Sequence, residues 1–547
     1  RWIVSLWDET LIPVSLENVR ASTITRGHRF LSPDPIPVPH AQNYETILEQ
    51  NYVIADYEKR KNRISAQVQE LEAQSKKTFR VDLTDALLQE VTNLVEYPTA
   101  LLGHFEENFL ELPAKVLVTS MATHQRYFPV YSTGDSTEAA QLLAHFVTVR
   151  NGGSHALKTV QEGNERVLRA RLSDARFFYK DDRKQPLEYF CKKTEQIVFF
   201  QERGTIAQRV DRLADLSLFI VKQLQEQQIS FTETQAQQTQ RIAELCKFDL
   251  QTQMVKEFAE LQGTMGGCYA RLKEEADVVS RGIQEHYYPR NAKDALPQDL
   301  ETLPVALADK LDLLVVAFSR GLIPSGSADP YGLRRAAQGL VHIILEKSLP
   351  LEFSVLPEHA LTLLCKQQEL QINIEVLNKE LKQFLIQRQR FFMREQGIRY
   401  DLVNALIQST ALLPHQQWQL AKVLNPQLET STLKSASEAI VRASNIVKKN
   451  AALISDGNLE IQTEVLLLPE EQVLHQILNS IVNLPLKVSA YMEHLLVLEP
   501  HISAFFDHVL IMDSDPQKCK NRLLLCQKLS QWSGRYLDLS ELIFPKE

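Results

Sequence analysis

The sequence predicts a multidomain protein with an α+β N-terminal third followed by a mostly α-helical remainder. The chain has 547 residues, 44% of them hydrophobic, which is enough for several cores and roughly three or four domains of ordinary size. Short apolar alternations broken by Pro and Gly crowd its first third. After Gly163 long Gln/Glu/Leu-rich segments take over, and proline falls at joints such as Pro289, Pro297, Pro304, Pro324 and Pro330.

Residues 1–40 read as short strands and turns. "RWIVSLWDETLIPVSLENV" alternates like a strand rather than a signal peptide, and "TRGHRFLSPDPIPVP" reads as a Pro-punctuated loop. The chain opens on Arg1 in mid-pattern, which predicts a piece of a longer polypeptide. From Asn43 to about Lys77 the pattern is helical and charged. "AKVLVTS", "RYFPVYS" and "HFVTVRNGG" read as strands, with Asn151-Gly152-Gly153 as the turn. Boundaries near residues 190 and 365 give expected domains 1–190, 191–365 and 366–547.

Charge and cysteine usage narrow the class. A formal net charge of −8 excludes a protein that simply coats nucleic acid, so any nucleic-acid site must be a local basic surface. The six cysteines form no C-x-x-C pair and no regular framework, which points to a reducing compartment and structural thiols. No apolar run approaches the ~20 residues of a membrane span. The P-loop, dinucleotide, nucleophile-elbow and H-E-x-x-H signatures are absent. His28 and His124 sit beside arginines in sequence, which suits packing or anion contact better than general-base work.

Three constellations carry candidate chemistry. In "GNERVLRARLSDARFFYKDDRK" the residues Arg166, Arg169, Ser173, Arg176 and Lys180 fall on one helical stripe, and Leu168, Leu172, Ala175 and Tyr179 on another. The cationic stripe suits phosphate because guanidinium forks donate in pairs; the plainer alternative is a solvated face paired with local Asp and Glu. The second set is Asp249, His286, Asp309 and Asp312 in "CKFDL", "EHYYP" and "ALADKLD". Its order resembles the metal site of HD phosphohydrolases, but Phe248 stands where the dyad histidine belongs. A metal-dependent phosphohydrolase acting on nucleotides or RNA ends is the rival reading of the chain; the plainer reading pairs these acids with arginines.

The third set is the loop "SGSADPYGLRR". It predicts a helix capped by Asp329 and opening at Pro330, with Ser327 in the turn and Arg334 and Arg335 set near Asp309 and Asp312. Further on, residues 381–412 and 431–452 read as amphipathic helices bearing Lys382, Arg388, Arg390, Arg394, Lys434, Arg442, Lys448 and Lys449. A helical bundle with such a rim is an RNA platform.

The ordered series "TRGHRFLSP", "MATHQRYFPV", "RNGG", "EGNERVLRARLSDARFFYKDD", "EFAELQGTMG", "EHYYP", "ADKLDLL", "GLIPSGSADPYGLRRAA" and "FFDHVLIMDSD" resembles the β subunit of bacterial-type heterotetrameric glycyl-tRNA synthetase along nearly the whole chain. The resemblance implies a B3/B4-like α+β region, a degenerate HD-like helical domain and a DALR-type helical anticodon-binding domain. It implies tRNA(Gly) as partner, together with a class II α subunit or fused α region that performs aminoacylation and uses ATP and Mg. This chain then holds no cofactor, catalytic residue or metal of its own. Arg166, Arg169, Arg176, Lys180, Arg388, Arg390, Arg442 and Lys448 become the expected tRNA contacts. The expected compartment is the cytoplasm, or an organelle for a plant-type fusion.

Overall fold

The computed structural model describes residues 2–76, 78–133, 140–324, 329–409, 411–454, 460–482 and 488–544. The chain packs into two compact units: Arg1–Phe190 with Asp249–Tyr269, and Cys191–Phe248 with Ala270–Glu547. Residues 249–269, which the sequence assigns to the second domain, thus group with the N-terminal part.

The first unit holds a four-stranded antiparallel sheet in the spatial order Phe79–Val81, Phe128–Ser132, Leu142–Asn151, Pro98–His104. Its register sets Phe146 opposite Gly103 and Val147 opposite Leu102. Ile64 and Val68 of the Tyr57–Gln74 helix and Leu88 and Val91 of the Asp85–Leu94 helix pack with Phe128, Val130 and Val147 in one buried cluster. Burying each such side chain contributes roughly 1.5–3 kcal/mol relative to leaving it in water. The long Leu157–Asp182 helix lies against the Pro98–His104 strand and buries Leu168, Leu172, Ala175 and Tyr179, the stripe its spacing predicts.

One strand expectation fails. "AKVLVTS" forms a short helix, Ala114–Val118, that runs into a π-helical turn at Thr119–Gln125, and the strand begins only at Phe128. Val116, Leu117, Thr119, Ser120 and Met121 are buried, and all but Thr119 share one helical face. Burial of that face overrides the strand preference of Val and Thr.

The second unit is built around the Thr302–Phe318 helix, in which every side chain but Leu313 is buried. The helices Ile206–Glu226, Leu333–Glu346 and Val355–Gln368 pack around it. Ile374–Glu395 in turn packs on Leu333–Glu346 and Val355–Gln368, so contacts run straight across the expected boundary near residue 365. Toward the C-terminus the helices Ser431–Lys449, Val488–His508 and Pro516–Gly534 bury Leu433, Ile440, Tyr491, Leu495, Leu529 and Trp532 between them. The apolar "FFDHVLIM" segment ends the middle of these three helices and continues past it with Val509 and Ile511 still buried. Among the described residues no helix is long and apolar enough to cross a membrane.

Candidate functional site

A helix buried on all sides cannot carry Asp309, Lys310 and Asp312 unless each charge is paired or hydrogen-bonded, because an uncompensated ion in a low-dielectric interior is far too costly. The partners come from the Ile206–Glu226 helix and from Lys247. Arg212 donates Nε to Asp312 Oδ1 at 2.7 Å and Nη2 to Oδ2 at 3.0 Å, and its Nη1 donates to Gln367 Oε1 at 2.6 Å. Arg209 bridges both acids, with Nη2 3.0 Å from Asp309 Oδ1 and Nε 3.2 Å from Asp312 Oδ2, and it lies over the Phe199 ring.

Lys247 closes the cluster. Its ammonium lies 2.8 Å from Asp309 Oδ1 and 2.8 Å from His286 Nε2, and 3.8 Å above the Tyr287 ring. His286 donates Nδ1–H to the Ile283 carbonyl at 2.7 Å, which leaves Nε2 as the acceptor and the ring neutral. Burial, then the Lys247 charge, hold His286 well below the ordinary histidine range. Burial pushes Asp309 upward, and Lys247 and Arg209 together outweigh it, so its carboxyl titrates far below the usual range. Lys310 turns away and donates to the carbonyls of His286, Tyr287 and Tyr288; burial lowers its pKa to about 8.

These residues do not fit a metal. Where a divalent cation would need His286 and Asp309 as ligands, the Lys247 ammonium already bonds to both. Asp249 belongs to the first unit, where its Oδ2 accepts from the amides of Gly263 and Gly266. No group of three or more metal-ligating side chains occurs among the described residues. Arginines do neutralise Asp309 and Asp312, but they are Arg209 and Arg212, not Arg334 and Arg335. The sequence carries the missed signal: Arg209 and Arg212 sit three apart among Ile206, Leu213, Leu216 and Ile220, an apolar stripe that demands buried acids at matching spacing.

The loop ahead of the Leu333–Glu346 helix is arranged differently from its expectation as well. Ser327 lies outside the described residues. The helix starts at Leu333, with Gly332 as its N-cap at φ 68°, three residues later than the sequence suggests. Asp329 still caps it, because its carboxylate accepts from the amides of Leu333 and Arg334 at 2.8 and 2.9 Å. Arg335 folds back over Gly332, where an added Cβ would stand 3.0 Å from Nη2. Arg334 lies within electrostatic reach of Arg388, whose pKa burial and then Arg334 lower. Arg388 also lies 5.6 Å from the rings of Phe384 and exposed Phe391.

The basic stripe of the first unit is mostly neutralised. Arg169 Nε lies 2.5 Å from Glu106 Oε1, Lys180 is 2.9 Å from Glu111, and Arg176 is 4.0 Å from the same carboxylate and packs on the Phe109 ring. Arg166 is exposed, with no ion pair among the described residues. His124, expected beside arginines, pairs instead with Glu260 at 2.5 Å and packs on Phe258; His28 accepts from the amides of Phe30 and Leu31. In the second unit Arg390, Arg442 and Lys448 are exposed, Arg442 over the Phe506 ring.

Comparison with known proteins gives this geometry its context. The glycyl-tRNA synthetase beta subunit model matches residues 1–408, and the DALR anticodon binding domain model matches residues 436–539. The chain is 38% identical over 546 residues to the glycine–tRNA ligase beta subunit of Shouchella clausii, covering 100% of this chain and 77% of that protein. It is 42% identical over 449 residues to the Bacillus subtilis protein of the same name, covering 82% of this chain and 62% of that one. With the Clostridioides difficile protein of that name it shares 36% identity over 545 residues, covering 100% of this chain and 77% of the relative. On the matched length and identity, the chain belongs to the glycyl-tRNA synthetase beta subunit family.

Proposed function

We propose that the chain recognises tRNA(Gly) for a glycine–tRNA ligase whose class II catalytic α subunit, or fused α region, activates glycine with ATP and Mg. The observation that carries this is the coexistence on one chain, in order, of the beta subunit match and an anticodon binding domain match. The buried ion cluster supports it, since Lys247, Arg209 and Arg212 saturate the acids that a hydrolytic metal site would need. This chain's share is then binding and orientation of RNA, and no cofactor is assigned to it. Its site of action is the cytoplasm, in keeping with the bacterial relatives.

RNA phosphates meet Arg166 in the first unit and Arg388, Arg390, Arg442 and Lys448 in the second; Arg169, Arg176 and Lys180 first have to leave their glutamates. The test is glycylation of a total tRNA pool by a class II α subunit with and without this chain. Charging of tRNA(Gly) that depends on the chain is the expected result. Equal charging without it, or hydrolysis of nucleotides by the chain alone with added divalent metal, overturns the reading.

A further inference from the structure

In the second unit a cavity of about 260 Å³ opens where the start of the Val355–Gln368 helix meets the Ile374–Glu395 and Pro414–Leu424 helices. Its apolar walls include Phe353, Ile386, Leu412 and Pro414. Two buried carboxamides stand among them, Gln389 and Gln417. Gln417 Nε2 donates to the Ser409 carbonyl at 3.1 Å, and Gln389 Nε2 donates to Gln417 Oε1 at 2.8 Å. A backbone carbonyl only accepts, so this chain of bonds fixes the orientation of both amides. Gln389 Oε1 is left over. It has no hydrogen-bond partner among the described residues, although the residue is 1% exposed, and it is not sealed in by protein but open to the cavity.

Two exposed charges complete the lining: Glu352, which accepts from Ser354 Oγ at 3.3 Å, and Lys382. They form no ion pair with each other or with any other described residue.

Each part selects a feature of the guest. The volume is at the small end for ligand pockets, which run to roughly 300–1,000 Å³, and so suits a molecule of amino-acid size rather than a nucleotide. The inner oxygen requires an N–H or O–H donor, because a wholly apolar guest would strip it of water and return nothing. A cationic tip is excluded, since a neutral amide offers no counter-charge at a buried point. Apolar walls between that oxygen and the charges suit a flat ring. One free ammonium and one free carboxylate on the same cavity suit a zwitterion.

We infer that this cavity binds a free aromatic α-amino acid whose ring carries a neutral donor, tryptophan or tyrosine. The indole N–H or phenol O–H donates to Gln389 Oε1, the α-carboxylate meets Lys382 and the α-ammonium meets Glu352. The binding needs neither RNA nor a catalytic subunit. A guest held between three helices stabilises the folded second unit by mass action.

The test uses the 547-residue chain with L-tryptophan and L-tyrosine, read by titration calorimetry and by the thermal unfolding midpoint. Saturable binding to one site and a midpoint that rises with ligand concentration are expected. L-Phenylalanine, which lacks the ring donor, and N-acetyl-L-tryptophanamide, which lacks both charges, are each expected to bind about tenfold or more weakly by comparison. Lys382→Ala and Glu352→Ala, at exposed positions without ion pairs, are each expected to weaken L-tryptophan about fivefold or more, and Ile386→Trp to abolish binding by filling the cavity. If Ile386→Trp fails to fold, the two exposed variants decide. No saturable binding of either amino acid at millimolar concentration overturns the inference, as does equal binding of L-phenylalanine or wild-type affinity in both charge variants.

Discussion

Arg212 and Asp312 meet in parallel, guanidinium fork to carboxylate, at 2.7 and 3.0 Å with both side chains 3% exposed. The pair joins the central Thr302–Phe318 helix to its neighbour at a point where neither residue reaches water. Removing Asp312 strands the Arg212 charge, whereas removing Arg212 leaves Asp312 with Arg209 at 3.2 Å; replacing both members by apolar residues removes the problem.

Asp312→Ala is expected to lower unfolding free energy by about 3–5 kcal/mol, and Arg212→Ala, which leaves Asp312 its Arg209 partner, by less. The double variant Arg212→Met/Asp312→Leu is expected to lose markedly less than the sum. Urea unfolding of the three variants checks this; strictly additive losses contradict a stranded-charge origin.

Acid should weaken the second unit through its buried histidines. Burial lowers His415 to about 4, and burial with the Lys247 charge holds His286 well below its ordinary value. Between pH ~6.5 and ~4 the unfolded chain therefore binds more protons than the native one, and stability falls as pH drops through that window. His415→Gln is expected to remove ~3 kcal/mol of this pH-dependent loss and leave the part due to His286. Unfolding midpoints measured from pH 7 to pH 4 should show the flatter profile; an unchanged profile means His415 is protonated freely in the fold.

Within the first unit's basic stripe, Arg166 and Arg169 should behave differently. Arg166 has no ion pair among the described residues and Arg169 is engaged by Glu106. Arg166→Ala is expected to reduce the salt slope of tRNA binding by roughly 0.7–0.9, one phosphate contact. Arg169→Ala is expected to change it less, and Glu106→Gln, which frees the guanidinium, to tighten binding. Titrations at several salt concentrations decide; equal effects of the two arginine variants would mean the Glu106 pair opens on RNA.

At the start of the Leu333–Glu346 helix, Asp329→Ala is expected to cost about 0.5–2 kcal/mol, the range for losing an N-terminal cap. Gly332→Ala should add roughly 1–2 kcal/mol of its own, since φ 68° is left-handed backbone. Thermal melts of both variants measure this, with Asp329→Asn expected to retain most of the stability.

Some of this protein was fixed by its sequence alone. The apolar face of the Leu157–Asp182 helix was set by 3.6-residue spacing, and the family by motifs whose order spans the chain. Asp329 was recognisable as a cap because a carboxylate near a helix start has few other uses. Only tertiary structure decided the rest. That "AKVLVTS" winds into a helix depends on which of its residues are buried, since a short apolar run fits either period. That Asp309 and Asp312 meet Arg209, Arg212 and Lys247 rather than Arg334 and Arg335 depends on which helices flank Thr302–Phe318. Sequence spacing says which residues share a face, but the partner of a buried charge is chosen by packing across the core, where contacts about 100 residues apart leave no local period to read.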